Sequence, residues 1–140
     1  MKLDGQCLCG AVTVSAETET PVLRACHCDM CRRHTSSMFI SIPTVQESQR
    51  VDGPAKSYRS SDRAERGFCA RCGSTLWYAM TRSGERNLAA GLFPGAGGGQ
   101  MKYEFFADMC PGGYALAGEH RKLSSEEMIA LIAPNDGDKT

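Results

Sequence analysis

Seven of the eight cysteines in this chain fall into three tight groups, and this spacing constrains the fold more than any other feature. The groups are Cys7 with Cys9, Cys69 with Cys72, and Cys26 with Cys28 and Cys31. Two groups supply two thiolates each, which together make the closed tetrahedral set that structural zinc requires. The third group supplies three thiolates, which would leave one coordination position open to water or substrate. The pattern therefore predicts two zinc ions per chain, one structural and one with a chemical role.

Length and charge narrow the class of protein. The chain has 140 residues, enough for one compact domain, which we place at residues 1–133 with a C-terminal tail at 134–140. The 16 Lys and Arg balance the 16 Asp and Glu, which argues against nucleic acid or an anionic membrane as partner. The N-terminus lacks an apolar run and no stretch is long enough to span a bilayer, so we expect a cytoplasmic protein. In a reducing compartment, close cysteine pairs are more often metal ligands or redox pairs than disulfides.

Alternating hydrophobicity predicts a mainly β fold of short antiparallel strands with one helix near the C-terminus. The predicted strands cover residues 12–17, 22–25, 38–42, 56–59, 64–68, 74–80, 87–93 and 101–107. Ser124 and Glu127 have capping-box spacing, which places the start of the helix, and Pro134 predicts that it ends at Ala133. Short strands joined by loops make a modest core, so zinc binding would supply much of the folding free energy.

The two pairs of the closed set are each followed by glycine. Two residues between Cys69 and Cys72 let both sulfurs converge on one ion, and Gly73 allows a tight turn after the second ligand. The C-x-C group is a shorter clip that closes with Gly10. Thiolate ligands favour zinc over magnesium or calcium. The alternatives are a redox dithiol and an iron–sulfur cluster, but the chain shows neither a βαβ pattern around Cys69 and Cys72 nor ferredoxin-like spacing.

The three-cysteine group, with its open coordination position, is the candidate site for any chemistry that the chain performs. Its three sulfurs can cap one face of a metal ion, and the fourth ligand could be water, a substrate thiol, His27, His34 or Cys110. A metal-bound thiol is deprotonated and becomes a nucleophile at neutral pH, and an aldehyde carbon is a natural target for it. Arg32 and Arg33 could pair with substrate carboxylates through bidentate hydrogen bonds. These residues therefore indicate a small thiol and an aldehyde as partners.

Several side chains also have simpler interpretations. His27 alternates with two candidate ligands, so we expect its side chain to point away from the metal. His34 could hydrogen-bond within the loop or act as a proton shuttle, and Asp29 is expected to order the loop backbone. Outside a metal site, Cys110 would be a small buried thiol. We expect His120 to be exposed.

The three cysteine motifs, in this order, resemble those of the glutathione-dependent formaldehyde-activating enzymes, a family that includes centromere protein V. The resemblance is carried by GQCLCGAV at 5–12, CHCDMCRR at 26–33 and FCARCGS at 68–74. It implies a β-rich zinc fold of the β-tent type. The structural ligands would be Cys7, Cys9, Cys69 and Cys72, and the catalytic ligands Cys26, Cys28 and Cys31. The family activity is carbon–sulfur bond making and breaking, named for the formation of S-hydroxymethylglutathione from formaldehyde and glutathione.

Three hypotheses for function follow. The first is a zinc-dependent carbon–sulfur lyase, or aldehyde–thiol adduct-forming enzyme, that activates a small thiol on the three-cysteine zinc. The second is a non-catalytic zinc-binding interaction module. The third is a thiol redox protein that cycles Cys28 and Cys31 without zinc. Metal stoichiometry separates them, because only the enzyme needs a second, exchangeable zinc that binds added thiol.

Overall fold

The computed structural model describes the backbone of residues 1–136 and the side chains of residues 1–132. The strands are β1 (Lys2–Gln6), β2 (Thr13–Glu17), β3 (Val22–Cys26), β4 (Phe39–Ile42), β5 (Arg50–Asp52), β6 (Ala55–Arg59), β7 (Ala64–Cys69), β8 (Thr75–Met80), β9 (Arg86–Ala89), β10 (Gln100–Phe105) and β11 (Arg121–Leu123). The α-helices are α1 (Asp29–Thr35) and α2 (Ser125–Asp136). The mainly β fold with a C-terminal helix is therefore confirmed.

The chain forms two compact units, and the first contains Met1–Leu23 and Ile40–Gln100. In this unit β1, β2 and β5 form one antiparallel sheet in the order β1-β2-β5. The strands β4, β9, β8, β7 and β6 also pair antiparallel, in that order. Apolar side chains from alternate strand positions fill the core, among them Val14, Ile42, Leu76 and Leu88, which are at most 2% exposed.

A glycine in β7 makes room for the indole of Trp77 in β8. Gly67 pairs directly with Trp77, and a Cβ atom at residue 67 would lie 2.2 Å from the Cε2 atom of the indole. The guanidinium carbon of Arg86 lies 4.7 Å from the centroid of the same ring, a cation–π contact. Any larger residue at position 67 would occupy the space that the ring fills.

The second unit contains Arg24–Phe39 and the described residues from Met101 onward. Its strands lie in the order β11-β10-β3, and β10 pairs with β11 in parallel, with Phe105 opposite Leu123. The capping box at the start of α2 is confirmed. The N–H of Ser124 donates to Oε1 of Glu127 across 2.9 Å, and the N–H of Glu127 donates to Oγ of Ser124 across 3.1 Å.

The structure differs from the sequence-based expectation in several elements. The helix was expected to end at Ala133, but α2 continues to Asp136; the φ of about −65° that a proline ring imposes is itself compatible with a helix. The strand expected at 87–93 ends at Ala89, where a 3-10 helix, Ala90–Leu92, begins. Helix α1 and the short strands β1, β5 and β11 were not predicted. The division into a domain of residues 1–133 and a tail stays a prediction, and residues 137–140 lie outside the described part.

Within residues 1–136, neither helix combines the length and the apolar character needed to cross a membrane.

Candidate metal centres

Four cysteines of the first unit meet at one point. Cys7 and Cys9 follow β1, Cys69 ends β7, and Cys72 lies in the turn after it. The four Sγ atoms lie within 4.8 Å of one another, with 3.6 Å between Cys7 and Cys9 and 3.8 Å between Cys9 and Cys69. A tetrahedral zinc ion with Zn–S bonds of about 2.3 Å places its sulfurs about 3.8 Å apart. The cluster therefore fits one zinc ion, and all four residues are free thiols, not disulfides.

A glycine in the left-handed conformation follows each cysteine pair. The φ angles are 81° at Gly10 and 80° at Gly73. The N–H of Gly10 donates to the carbonyl of Cys7 across 3.1 Å, and the N–H of Gly73 donates to the carbonyl of Cys69 across 2.8 Å. A β-carbon disfavours this conformation. The tight turn predicted at Gly73 is confirmed, and the C-x-C group closes in the same way.

Hydrogen-bond donors point at the sulfur atoms of this cluster. The N–H of Val12 lies 3.3 Å from Sγ of Cys7, and the N–H of Cys72 lies 3.4 Å from Sγ of Cys69. The hydroxyl of Ser74 lies 3.1 Å from Sγ of Cys72. Hydrogen bonds from the hydroxyl and then the N–H of Ser74 lower the pKa of Cys72 to about 5. The thiolate, which is the form that binds metal, is thus favoured at neutral pH.

The second cluster forms where β3 gives way to α1. Cys26 is the last residue of β3, Cys28 is the N-cap of α1, and Cys31 lies in the first turn of that helix. Their Sγ atoms all lie within 4.8 Å of one another. Within residues 1–132, no further His, Cys, Asp or Glu joins this three-cysteine cluster. Cys31 is 3% exposed, whereas Cys26 and Cys28 are partly open to solvent.

The three thiols of this cluster do not ionise alike. Hydrogen bonds with the side chains of Cys26 and Cys31, supported by backbone N–H groups of Cys31 and Met30, lower the pKa of Cys28 to about 2. The N–H of Cys31 is one of these donors, 3.4 Å from Sγ of Cys28. The hydrogen bonds with Cys28 and Cys31, together with burial, raise the pKa of Cys26. The thiolate form, which can receive a cation, is therefore favoured at Cys28, and zinc binding would displace the remaining protons.

Helix α1 carries the charged residues that are nearest in sequence to the three-cysteine cluster. Asp29 is in the first turn, where its carboxylate accepts a hydrogen bond from Nη2 of Arg32 across 2.9 Å. Arg33 and His34 are in the last turn, and the side chain of Arg33 is exposed. An acidic residue in the first turn and basic residues in the last turn complement the helix dipole. A role of Arg32 and Arg33 toward substrate carboxylates stays a prediction.

The ring of His27 faces the carboxylate of Glu104, a residue that the sequence analysis did not identify. Its Nε2 atom lies 2.7 Å from Oε1 of Glu104 in β10, and its backbone N–H donates to the carbonyl of Phe105 across 3.0 Å. His120 approaches the other oxygen of the same carboxylate. The expectation that His120 is exposed was wrong, since its side chain is 2% exposed. Nothing local marks Glu104, because its partners lie 77 and 16 residues away.

Cys110 belongs to neither of the two cysteine clusters. Its thiol is half-buried and donates to the carbonyl oxygens of Pro111 and Tyr114, at 3.6 Å and 3.5 Å. Cys110 therefore lies outside the candidate metal sites, but it is half-buried and not the buried thiol that the sequence analysis expected there.

Comparisons with known proteins give one family. A family model described as glutathione-dependent formaldehyde-activating enzyme matches residues 2–108. A Schizosaccharomyces pombe protein named as an uncharacterized lyase is 33% identical over 135 residues, which cover 92% of this chain and 96% of the relative. A crystal structure of a Rhodobacter sphaeroides protein is similar with a TM-score of 0.55 at 21% identity, over 87% of this chain and 99% of that one. The last similarity concerns the fold alone.

Proposed function

This chain belongs to the family of glutathione-dependent formaldehyde-activating enzymes, and we propose that it is a zinc-dependent carbon–sulfur lyase acting on adducts of a small thiol and an aldehyde. The observation that carries the proposal is the unequal division of sulfur, with four Sγ atoms in one cluster and three in the other. A saturated set suits a structural ion, and a three-ligand set suits a site that exchanges water or substrate. The lyase name of the Schizosaccharomyces pombe relative supports the reaction class.

Each cluster would have its own task. Cys7, Cys9, Cys69 and Cys72 would hold a structural zinc ion, and Cys26, Cys28 and Cys31 would hold an exchangeable one. When bound at the three-cysteine cluster, zinc would supply an open position for a thiol and favour its thiolate form. Formaldehyde and glutathione, which the family description implies, are the first substrates to test.

The chemistry would need no redox cofactor. The thiol sulfur adds to the aldehyde carbon, so a carbon–sulfur bond forms while the carbonyl π bond breaks. The thiol proton ends on the former carbonyl oxygen, and the reverse reaction eliminates the aldehyde. Arg33 has an exposed side chain on α1 and would bind a substrate carboxylate, whereas Arg32 is partly engaged by Asp29.

Cys31→Ala tests the proposal most directly. The wild-type protein is expected to bind two zinc ions and to speed exchange between formaldehyde and its glutathione adduct, measured by exchange NMR. The variant should bind one zinc ion, keep its fold by circular dichroism and lose the activity. Cys110→Ala is the matched control, because Cys110 lies outside both clusters, and it should keep both zinc ions and the activity. Full activity in Cys31→Ala would refute the proposed site.

A further inference from the structure

A buried carboxylate in the second unit is held between two histidines. Oε1 of Glu104 lies 2.7 Å from Nε2 of His27, and its Oε2 contacts Nε2 of His120. The side chains of these residues are 5%, 0% and 2% exposed, respectively. Folded proteins rarely bury such groups, because a carboxylate removed from water is destabilising unless it is fully hydrogen-bonded. This His27–Glu104–His120 network therefore calls for a reason beyond packing.

A contribution to stability is not by itself a sufficient reason for this network. A buried ion pair is often no more stabilising than apolar side chains of the same volume. Burial raises the pKa of Glu104, but hydrogen bonds and charge interactions with His120 and His27 outweigh it and lower the pKa overall. The carboxylate is therefore ionised and accepts a hydrogen bond from each ring. Both oxygens of the carboxylate are thus paired, and hydrogen bonds of this kind in a buried site fix the side chains that they join in one orientation.

His27 connects the network to the three-cysteine cluster. It lies between Cys26 and Cys28, and successive side chains of an extended segment point in opposite directions. A His27 ring turned toward Glu104 therefore leaves both cysteines facing the other way, where they meet Cys31. The Nδ1 atom of His27 is buried and has no hydrogen-bond partner within the described residues. Among those residues, Glu104 alone orients this ring by a hydrogen bond.

We propose that Glu104 and His120 are positioning residues of the three-cysteine site, which fix the His27 ring and through it the directions of the Cys26 and Cys28 sulfurs. The inference rests on the proposed function only in requiring these cysteines to hold an exchangeable metal ion. The carboxylate acts indirectly, since it contacts His27, which lies between two ligands in sequence, and does not contact the ligands themselves. Loss of the carboxylate would free the ring, and the two sulfurs would lose their common direction.

The test replaces the exchangeable metal with Co²⁺, whose thiolate charge-transfer absorption reports the sulfurs that bind it. Glu104→Gln keeps the shape of the side chain but removes the charge and one acceptor. We expect its Kd for Co²⁺ at the three-cysteine site to rise by about 10-fold, the lower end of the range for residues that hydrogen-bond metal ligands directly, because Glu104 acts on the ligands through His27. The charge-transfer band should weaken or shift, while the four-cysteine cluster stays loaded with zinc. His120→Gln should change the same two quantities in the same direction.

Ser124→Ala is the matched control. It removes the cap of α2 in the same unit, so it should lower the melting temperature while leaving the Co²⁺ affinity and spectrum unchanged.

A folded Glu104→Gln protein with wild-type Co²⁺ affinity and spectrum would overturn the assignment. If that variant does not fold, His120→Gln decides by the same measurements, and failure of both to fold would assign the network to the fold instead. Wild-type protein that binds Co²⁺ here but forms no thiol–aldehyde adduct would refute the proposed function and leave the positioning test intact.

Discussion

The hydroxyl of Ser74 lies 3.1 Å from Sγ of Cys72 and donates a hydrogen bond to its thiolate. The same hydroxyl oxygen accepts a hydrogen bond from the N–H of Leu8 across 3.0 Å. One side chain thus joins the turn of the C-x-x-C pair to the residue between the two cysteines of the C-x-C pair. Ser74 therefore both favours the thiolate and connects the two halves of the four-cysteine cluster.

Ser74→Ala should release metal from this cluster at a higher pH than the wild type does. Loss of the hydroxyl removes the largest cause of the lowered pKa of Cys72, which should rise from about 5 toward 9.0. A lowered pKa contributes stability at high pH that is lost as pH falls through the folded-state value. With a higher pKa, protons displace the metal earlier during acidification. A pH titration with a chromophoric zinc chelator measures the midpoint of release.

The control for this titration is Ser57→Ala. The Ser57 hydroxyl donates to Glu65, outside both cysteine clusters, so its loss should leave the midpoint of zinc release where it is in the wild type. A Ser74→Ala protein with the wild-type midpoint would show that the hydroxyl does not tune the cluster.

Cys72→Ser should abolish the folded state. Structural zinc supplies on the order of 10–16 kcal/mol in small metal domains, whereas net stability is typically about 5–15 kcal/mol. Losing one of four sulfurs would therefore remove a contribution as large as the whole stability. Circular dichroism and NMR dispersion measure the outcome, and Cys110→Ser, a change of the same kind outside both clusters, should stay folded. Soluble Cys72→Ser protein with an unchanged melting temperature would contradict the structural role.

Sequence reasoning succeeded where the deciding contacts are local. The cysteine groups, the glycine turn after Cys72 and the capping box of α2 all depend on residues within a few positions of one another. Helix α1 was missed because it has only seven residues and because its N-cap is Cys28, whereas Ser, Thr, Asp and Asn are the usual caps. Its ligand spacing also suggested a loop, although the same spacing suits a first helical turn.

The missed features depend on contacts between distant residues. Strand β1 is mostly polar, with Leu3 as its buried residue, and exists because it pairs with β2. The buried state of His120 follows from the parallel pairing of β11 with β10, which brings it beside Glu104. No periodicity in the sequence encodes that pairing, so a histidine in a polar stretch was expected to be exposed.

Ser36→Gly should stabilise the protein. Ser36 is the C-cap of α1 with φ of 76°, and its N–H donates to the carbonyl of Arg32 across 2.7 Å. A left-handed conformation costs an L-residue roughly 1–2 kcal/mol, and glycine adopts it freely. After the greater entropy of glycine in the unfolded chain is subtracted, a gain of about 0.5–1 kcal/mol remains. Urea unfolding of the zinc-loaded protein measures this gain in the free energy of unfolding. Ser37→Gly is the control, because Ser37 does not have a positive φ, and it should bring no gain; equal effects of both variants would contradict the argument.

Gly67→Ala should destabilise the protein strongly. The new Cβ atom would lie 2.2–2.6 Å from three atoms of the Trp77 indole. Overpacking of a filled core typically costs about 1–3 kcal/mol, and a rigid ring in a paired strand leaves little room to adjust, so we expect the upper end of that range or more. Gly91→Ala is the matched control, because nothing lies within 4 Å of a Cβ atom there and its φ is not positive. Its free energy of unfolding should stay within about 1 kcal/mol of the wild type. Urea unfolding, with Trp77 fluorescence as the probe, compares the two variants, and equal stabilities would mean that β7 and β8 can separate to admit a methyl group.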